Sequence, residues 1–166
     1  MPKRGRSGAQ AVAGPVLLDT HVWIWYLDGR AREFSPSVRR FMQAVEKAHF
    51  FWVSEMSVWE AANKAAKGRL HLSPTAAIWM DRATQLPGYR FSLPDRATYL
   101  LSTRLPELEP THPSDRVDRI LIATAMLQDI PLLTADRGIL DYAHAYRHLR
   151  AIDARKASRI GDHPST

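Results

Sequence analysis

Hydrophobic positions along this chain alternate between short unbroken runs and longer stretches where they recur at helical spacing. Val16-Leu17-Leu18, Phe50-Phe51-Trp52-Val53 and Pro131-Leu132-Leu133-Thr134 are too short for helices and apolar on both faces, as strands buried in a parallel sheet are. Arg150-Ala151-Ile152 is a candidate last strand, and Tyr89 to Leu93 is open between a short strand and a loop. Between the runs the pattern predicts helices. One covers Thr20 to Leu27 and is closed by Asp28-Gly29; a second starts at Ser35-Pro36 and carries Phe41, Met42 and Val45. A third starts at Ser54, carries Val58, Trp59 and Ala62, and ends near Gly68. Ser73-Pro74 opens a fourth with Ile78 and Trp79, Leu93-Pro94-Asp95 precedes a fifth, and Asp115 to Asp129 forms one whose middle, Ile120 to Ala123, is mostly buried. Leu105 to Ser114, with Pro106, Pro110 and Pro113, reads as a loop. Strands alternating with helices imply right-handed crossovers, hence an α/β three-layer sandwich around a mostly parallel sheet of four to five strands.

Composition narrows the setting. The 166 residues suit one domain with a sizeable core, and 45% hydrophobic with 24% charged residues is ordinary globular usage. The chain has no cysteine, which excludes disulfides and thiolate metal sites and fits a cytoplasmic location. Neither a signal-peptide h-region nor an apolar run long enough to span a bilayer is evident. Of the net charge of +6, Lys3, Arg4 and Arg6 contribute three within an acid-free stretch before Val16. The remainder permits an anionic partner such as RNA without demanding one. Three segments are therefore expected: a disordered basic tail at 1–15, a folded domain at 16–152, and a polar tail at 153–166.

The acids change the picture most. Asp19 ends the first strand, at the edge of an open α/β sheet where ligands collect. Glu60 lies within two turns of the second strand's end, Asp118 abuts the buried stretch Ile120 to Ala123, and Asp136 follows the third strand. Each has an ordinary alternative. Asp19 and Asp136 suit helix caps or turns, Ser57 with Glu60 has capping-box spacing, and Asp115 complements a helix dipole. As a set they share one edge of the sheet. Crowded carboxylates raise one another's pKa unless they share a cation, and an all-oxygen donor set selects Mg²⁺ or Mn²⁺. Such an ion can hold a phosphate for in-line attack by water, so phosphodiester hydrolysis needs neither cysteine nor histidine here.

Leu17-Leu18-Asp19-Thr20-His21, Ser57-Val58-Trp59-Glu60, Asp115-Arg116-Val117-Asp118-Arg119-Ile120-Leu121-Ile122-Ala123 and Leu132-Leu133-Thr134-Ala135-Asp136-Arg137, in that order, resemble a PIN-domain ribonuclease. More narrowly they are similar to VapC toxins of bacterial type II toxin–antitoxin modules, over about residues 16 to 152. The resemblance implies a PIN-like fold and a metal-dependent endoribonuclease, usually dimeric, that a VapB-type antitoxin inhibits. Carried over position by position, Asp19, Glu60, Asp118 and Asp136 match the family's acidic quartet as catalytic and metal-binding groups. Asp115 matches an auxiliary acid, and Thr20, Ser57 and Thr134 are candidates to orient carboxylates or water. The chain departs from many relatives in having Arg116 where they have proline after the first acid of the third motif.

Two other readings compete. A metal-free RNase would use paired histidines, but only His21 and His112 of the seven lie near these motifs and neither has an evident partner. A catalytically silent PIN-like module would bind RNA or protein without cutting. For partners, Trp23, Trp25 and Tyr26 cannot all face one core, so this helix and the one around Phe41 to Val45 are expected either to receive an antitoxin segment or to pack inside. Arg116 and Arg119 are candidates to steer RNA toward the acids.

Overall fold

The computed structural model describes residues 14–106 and 116–156. Most of the expected N-terminal tail, Asp115 with most of its preceding loop, and residues 157–166 therefore lie outside the described residues. Five strands, β1 (Val16–Leu18), β2 (Phe51–Ser54), β3 (Tyr89–Ser92), β4 (Leu132–Thr134) and β5 (Ala151–Asp153), form one sheet in the order β3-β2-β1-β4-β5. Every pairing is parallel. The segment left open between strand and loop is thus a strand, paired along its whole length with β2.

The helices are α1 (Thr20–Leu27), α2 (Pro36–Lys47), α3 (Glu55–Ala66), α4 (Ala76–Gln85), α5 (Arg96–Arg104), α6 (Arg116–Leu127) and α7 (Arg137–Ala145). Strand period two sorts the core into two layers. Val16, Leu18 and Leu133 pack with Val22, Trp23, Val38, Met42 and Trp79 on the α1–α4 side. Leu17 and Leu132 pack with Val117, Leu121, Ile122 and Ile139 on the α5–α7 side. Helices therefore cover both faces, giving the expected sandwich with a wholly parallel sheet.

Local chemistry sets the boundaries. Ser35 caps α2 by accepting from Val38 N–H, with Pro36 in the first turn. Ser54 caps α3 by accepting from Met56 N–H, so α3 starts ahead of Ser57 and the capping box between Ser57 and Glu60 does not form. α4 begins two residues later than Ser73-Pro74 predicts, because the Thr75 hydroxyl takes the N-cap bond from Ile78 N–H. α6 stops at Leu127, and Asp129, expected inside it, instead turns the chain at φ +49°. The run Arg137–Ala145, to which the sequence pattern assigned no element, is α7.

The aromatic helix packs one face into the core. Trp23 is fully buried, with its ring edge-on to Trp79 and Phe91, and Trp25 and Tyr26 pack against Phe34. Tyr26 also donates to Glu46 Oε2 at 2.7 Å. On α2, Val38, Met42 and Val45 are fully buried. Trp25, Tyr26 and Phe41 keep part of their surface exposed, so these helices contribute to the core on one side and leave aromatic surface on the other.

Candidate active site

The sheet order places a topological switch at β1. The chain leaves β1 toward β2 by way of α1 and α2 on one face, and reaches β4 from β3 by way of α5 and α6 on the other. Beyond such neighbouring strand ends the crossover connections diverge and leave a crevice. Asp19 directly follows β1, and its backbone N–H extends the ladder to Leu133 O on β4. Asp136 follows β4 by two residues. Glu60 is on the second turn of α3, which starts directly after β2. Asp118 lies in the first turn of α6, the helix that precedes β4 in the chain and packs against α3 and β4. Asp19, Glu60 and Asp136 therefore issue from the carboxyl edge of one sheet.

Asp19 is the informative member. It occupies the N-cap position of α1 but makes no side-chain cap bond, whereas Asp95 and Asp136 in equivalent positions cap α5 and α7. Its carboxylate is 3% exposed, and Oδ2 accepts a 2.6 Å hydrogen bond from Thr134 Oγ1. The same Thr134 oxygen accepts from Asp136 N–H at 2.9 Å, so one hydroxyl fixes the ends of β1 and β4 together. Burial, the largest cause, pushes the Asp19 carboxyl above its ordinary range. The Thr134 bond and His21 oppose this, while the charges of Glu60 and Asp136 add to it. Asp19, Glu60 and Asp136, remote in sequence, thus act on one another electrostatically.

Glu60 is 6% exposed, and its Oε1 meets the Lys64 ammonium at 2.5 Å, one helical turn on. Lys64 also lies 3.3 Å from His21 Nε2. Asp136 Oδ1 accepts from Ile139 N–H at 3.0 Å, which makes it a genuine cap as well as a member of the edge. Asp118 is partly buried in the first turn of α6. Two of the expected auxiliary hydroxyls, Thr20 Oγ1 and Ser57 Oγ, are buried with no hydrogen-bond partner, and Thr134 is the one at work in the site.

The residues suit a hard divalent ion in kind: carboxylates, buried hydroxyls and no sulfur. Their side chains are committed otherwise, Glu60 to Lys64 and Asp136 to the α7 cap, and among the described residues no three acids or histidines are disposed to hold a metal. Sequence reading passed over Lys64, although its position four residues after Glu60 on one helix face was visible. Arg119, expected to steer RNA, donates from Nε to Ser102 O at 2.8 Å and from its guanidinium to Leu105 O at 2.6 Å. It clamps the end of α5, leaving Arg116 as the exposed cation of the pair.

Comparison with known structures gives the same architecture. The chain superposes on VapBC2 from Rickettsia felis bound to a promoter DNA fragment with a TM-score of 0.58, at 12% identity, covering 83% of this chain and 97% of that one. A DNA-bound VapBC from Salmonella typhimurium gives 0.57 at 13% identity over 84% and 98%. FitAcB from Neisseria gonorrhoeae gives 0.51 at 18% identity over 84% and 97%. No curated protein matches the chain in sequence. The family model for the PIN domain matches residues 16–145, which holds Asp19, Glu60, Asp118 and Asp136 alike. The chain belongs to the PIN domain family.

Proposed function

We propose that the protein is a VapC-type endoribonuclease, with residues 16–152 as its nuclease domain and Asp19, Glu60, Asp118 and Asp136 as its catalytic carboxylates. The observation that carries this reading is Asp19. A carboxylate at a helix N-cap position that makes no cap bond, and whose pKa is raised first by burial and then by two other acids, is poorly explained as a structural cap. Membership of the PIN family and likeness in fold to VapBC and FitAcB support the same assignment.

Asp19, Glu60, Asp118 and Asp136 are the groups that would hold Mg²⁺ or Mn²⁺. Such an ion supplies Lewis-acid activation of a phosphodiester and of the water that attacks it. The chain's own residues do the rest. Thr134 keeps the Asp19 carboxylate oriented, so no reorganisation is needed during reaction. Thr20 and Ser57 offer free hydroxyls to water or to a carboxylate, and Asp115 is an auxiliary acid of the same motif. Arg116 attracts the RNA backbone. The partners proposed are RNA, a VapB-type antitoxin and a second copy of the chain, in the cytoplasm.

The test is direct. Purified protein incubated with varied structured RNAs and Mg²⁺ or Mn²⁺ is expected to give discrete cuts, mapped by sequencing the new 5′ ends. EDTA and Asp19→Asn should each abolish them. Cleavage that survives EDTA would exclude the metal mechanism. Failure to cut any RNA with either ion would favour a binding module instead.

A further inference from the structure

Lys64 is paired with one of the acids at this edge, and nothing in the reading above gives it a task. Its ammonium is 2.5 Å from Glu60 Oε1, and Glu60 is 6% exposed while the Lys64 side chain is 28% exposed. The carboxylate is thus fixed inside and the ammonium reaches it from the rim on a flexible four-carbon stem. A buried carboxylate without a counter-charge is costly, so Glu60 needs a cation in every state of the protein. A divalent ion coordinates carboxylate oxygen at about 2.0–2.1 Å for Mg²⁺, which would put it within a few ångströms of an ammonium already bonded to the same group. Two cations that close repel strongly in a partly buried site, and only the lysine can leave. His21 Nε2, 3.3 Å from Lys64 on an exposed residue, marks where the rim begins.

We propose that Lys64 is a built-in competitor for the divalent ion: it neutralises Glu60 in the ion-free protein and swings to the rim when the ion binds. The proposal rests on the assignment of Glu60 as a metal ligand. It makes Lys64 a positioning residue that sets how much free ion the enzyme needs, and delivers a positive charge to the face where RNA phosphate arrives.

The test is Mn²⁺ binding to the ion-free protein, followed by the loss of the free-ion EPR signal. Lys64→Met is expected to bind Mn²⁺ at least tenfold more tightly than the wild type, while Lys64→Arg stays near it. Equal or weaker binding by Lys64→Met would overturn the proposal, since an ammonium that orients Glu60 for the ion would weaken binding when lost. If Lys64→Met does not fold, amine acetylation of the wild type read by mass spectrometry decides. Lys64 should label several-fold faster with Mn²⁺ present, with Lys47 and Lys67 unchanged, and unaltered labelling of Lys64 would overturn the proposal. Binding that is lost in Glu60→Gln but unaffected by Lys64→Met defeats this inference alone. Wild-type protein that binds no Mn²⁺ defeats the metal assignment with it.

Discussion

Replacing Thr134 by valine removes one oxygen from the centre of the site and nearly nothing else. The side chain is fully buried, and valine keeps its branched shape and strand preference, so no large cavity opens. Two hydrogen bonds disappear. One is donated at 2.6 Å to the buried Asp19 carboxylate, and the other is accepted at 2.9 Å from Asp136 N–H. A bond to a charged group contributes about 1.5–3 kcal/mol and a neutral one about 1 kcal/mol, so the expected loss is about 3 kcal/mol. For a chain of this size that is a fall in Tm of about 6–12 °C. The loss should also depend on pH with a defined sign. The Thr134 hydroxyl favours the ionised form of Asp19, so its removal costs most where Asp19 is charged and least where it is protonated. Urea denaturation of Thr134→Val and wild type across a pH series reads both quantities, and Thr134→Ser should restore most of the stability. A penalty below about 0.5 kcal/mol, typical of an uninvolved surface site, would refute the bridging role. A penalty that does not change with pH would refute the part played by the Asp19 charge.

Other substitutions probe neighbouring contacts. The Asp19 carboxyl titrates above 3.8 in the fold, so the folded state keeps a proton that the unfolded chain releases. Ion-free stability should therefore fall as pH rises from about 3.8 to the folded value and then level off. Asp19→Asn, which can still accept from Thr134, should abolish that decline and be as stable as the wild type or more so at neutral pH; a variant less stable by several kcal/mol there would show that the charge is structural. Arg119→Gln removes guanidinium donors from Ser102 O and Leu105 O and should cost about 2–3 kcal/mol by urea denaturation, against a few tenths for an idle surface arginine.

The sheet was legible because its three central strands are apolar on both faces, a signature that survives without any context. β3 was ambiguous because Tyr89, Arg90, Phe91 and Ser92 mix half-buried and exposed positions at the edge beside β2. α7 was missed because Gly138 sits in its first turn and disguises the pattern of Ile139 and Tyr142. Around the acids, strand ends and spacing pointed to Asp19, Glu60 and Asp136, since their position follows from the sheet alone. What Asp19 does there was not legible, because an N-cap aspartate and one bonded to another strand have the same local sequence. Only a contact across 115 residues separates them. Lys64 was hidden for the opposite reason: an i,i+4 lysine is so common on helix surfaces that nothing local marks one as reaching inward. The structural bonds of Arg119 were not legible either, its two acceptors being backbone carbonyls that no sequence pattern displays.

The bond between Thr134 and Asp19 also bears on when the protein can first act during its own synthesis. β4 pairs directly with β1, so β1 has no neighbour on that flank until residues 132–134 have been made. A ribosome-held chain ending short of Thr134 carries the first acid without the hydroxyl that orients it and without Asp136. The edge that holds Asp19 is therefore completed only once β4 has been synthesised, however early the first acid emerges.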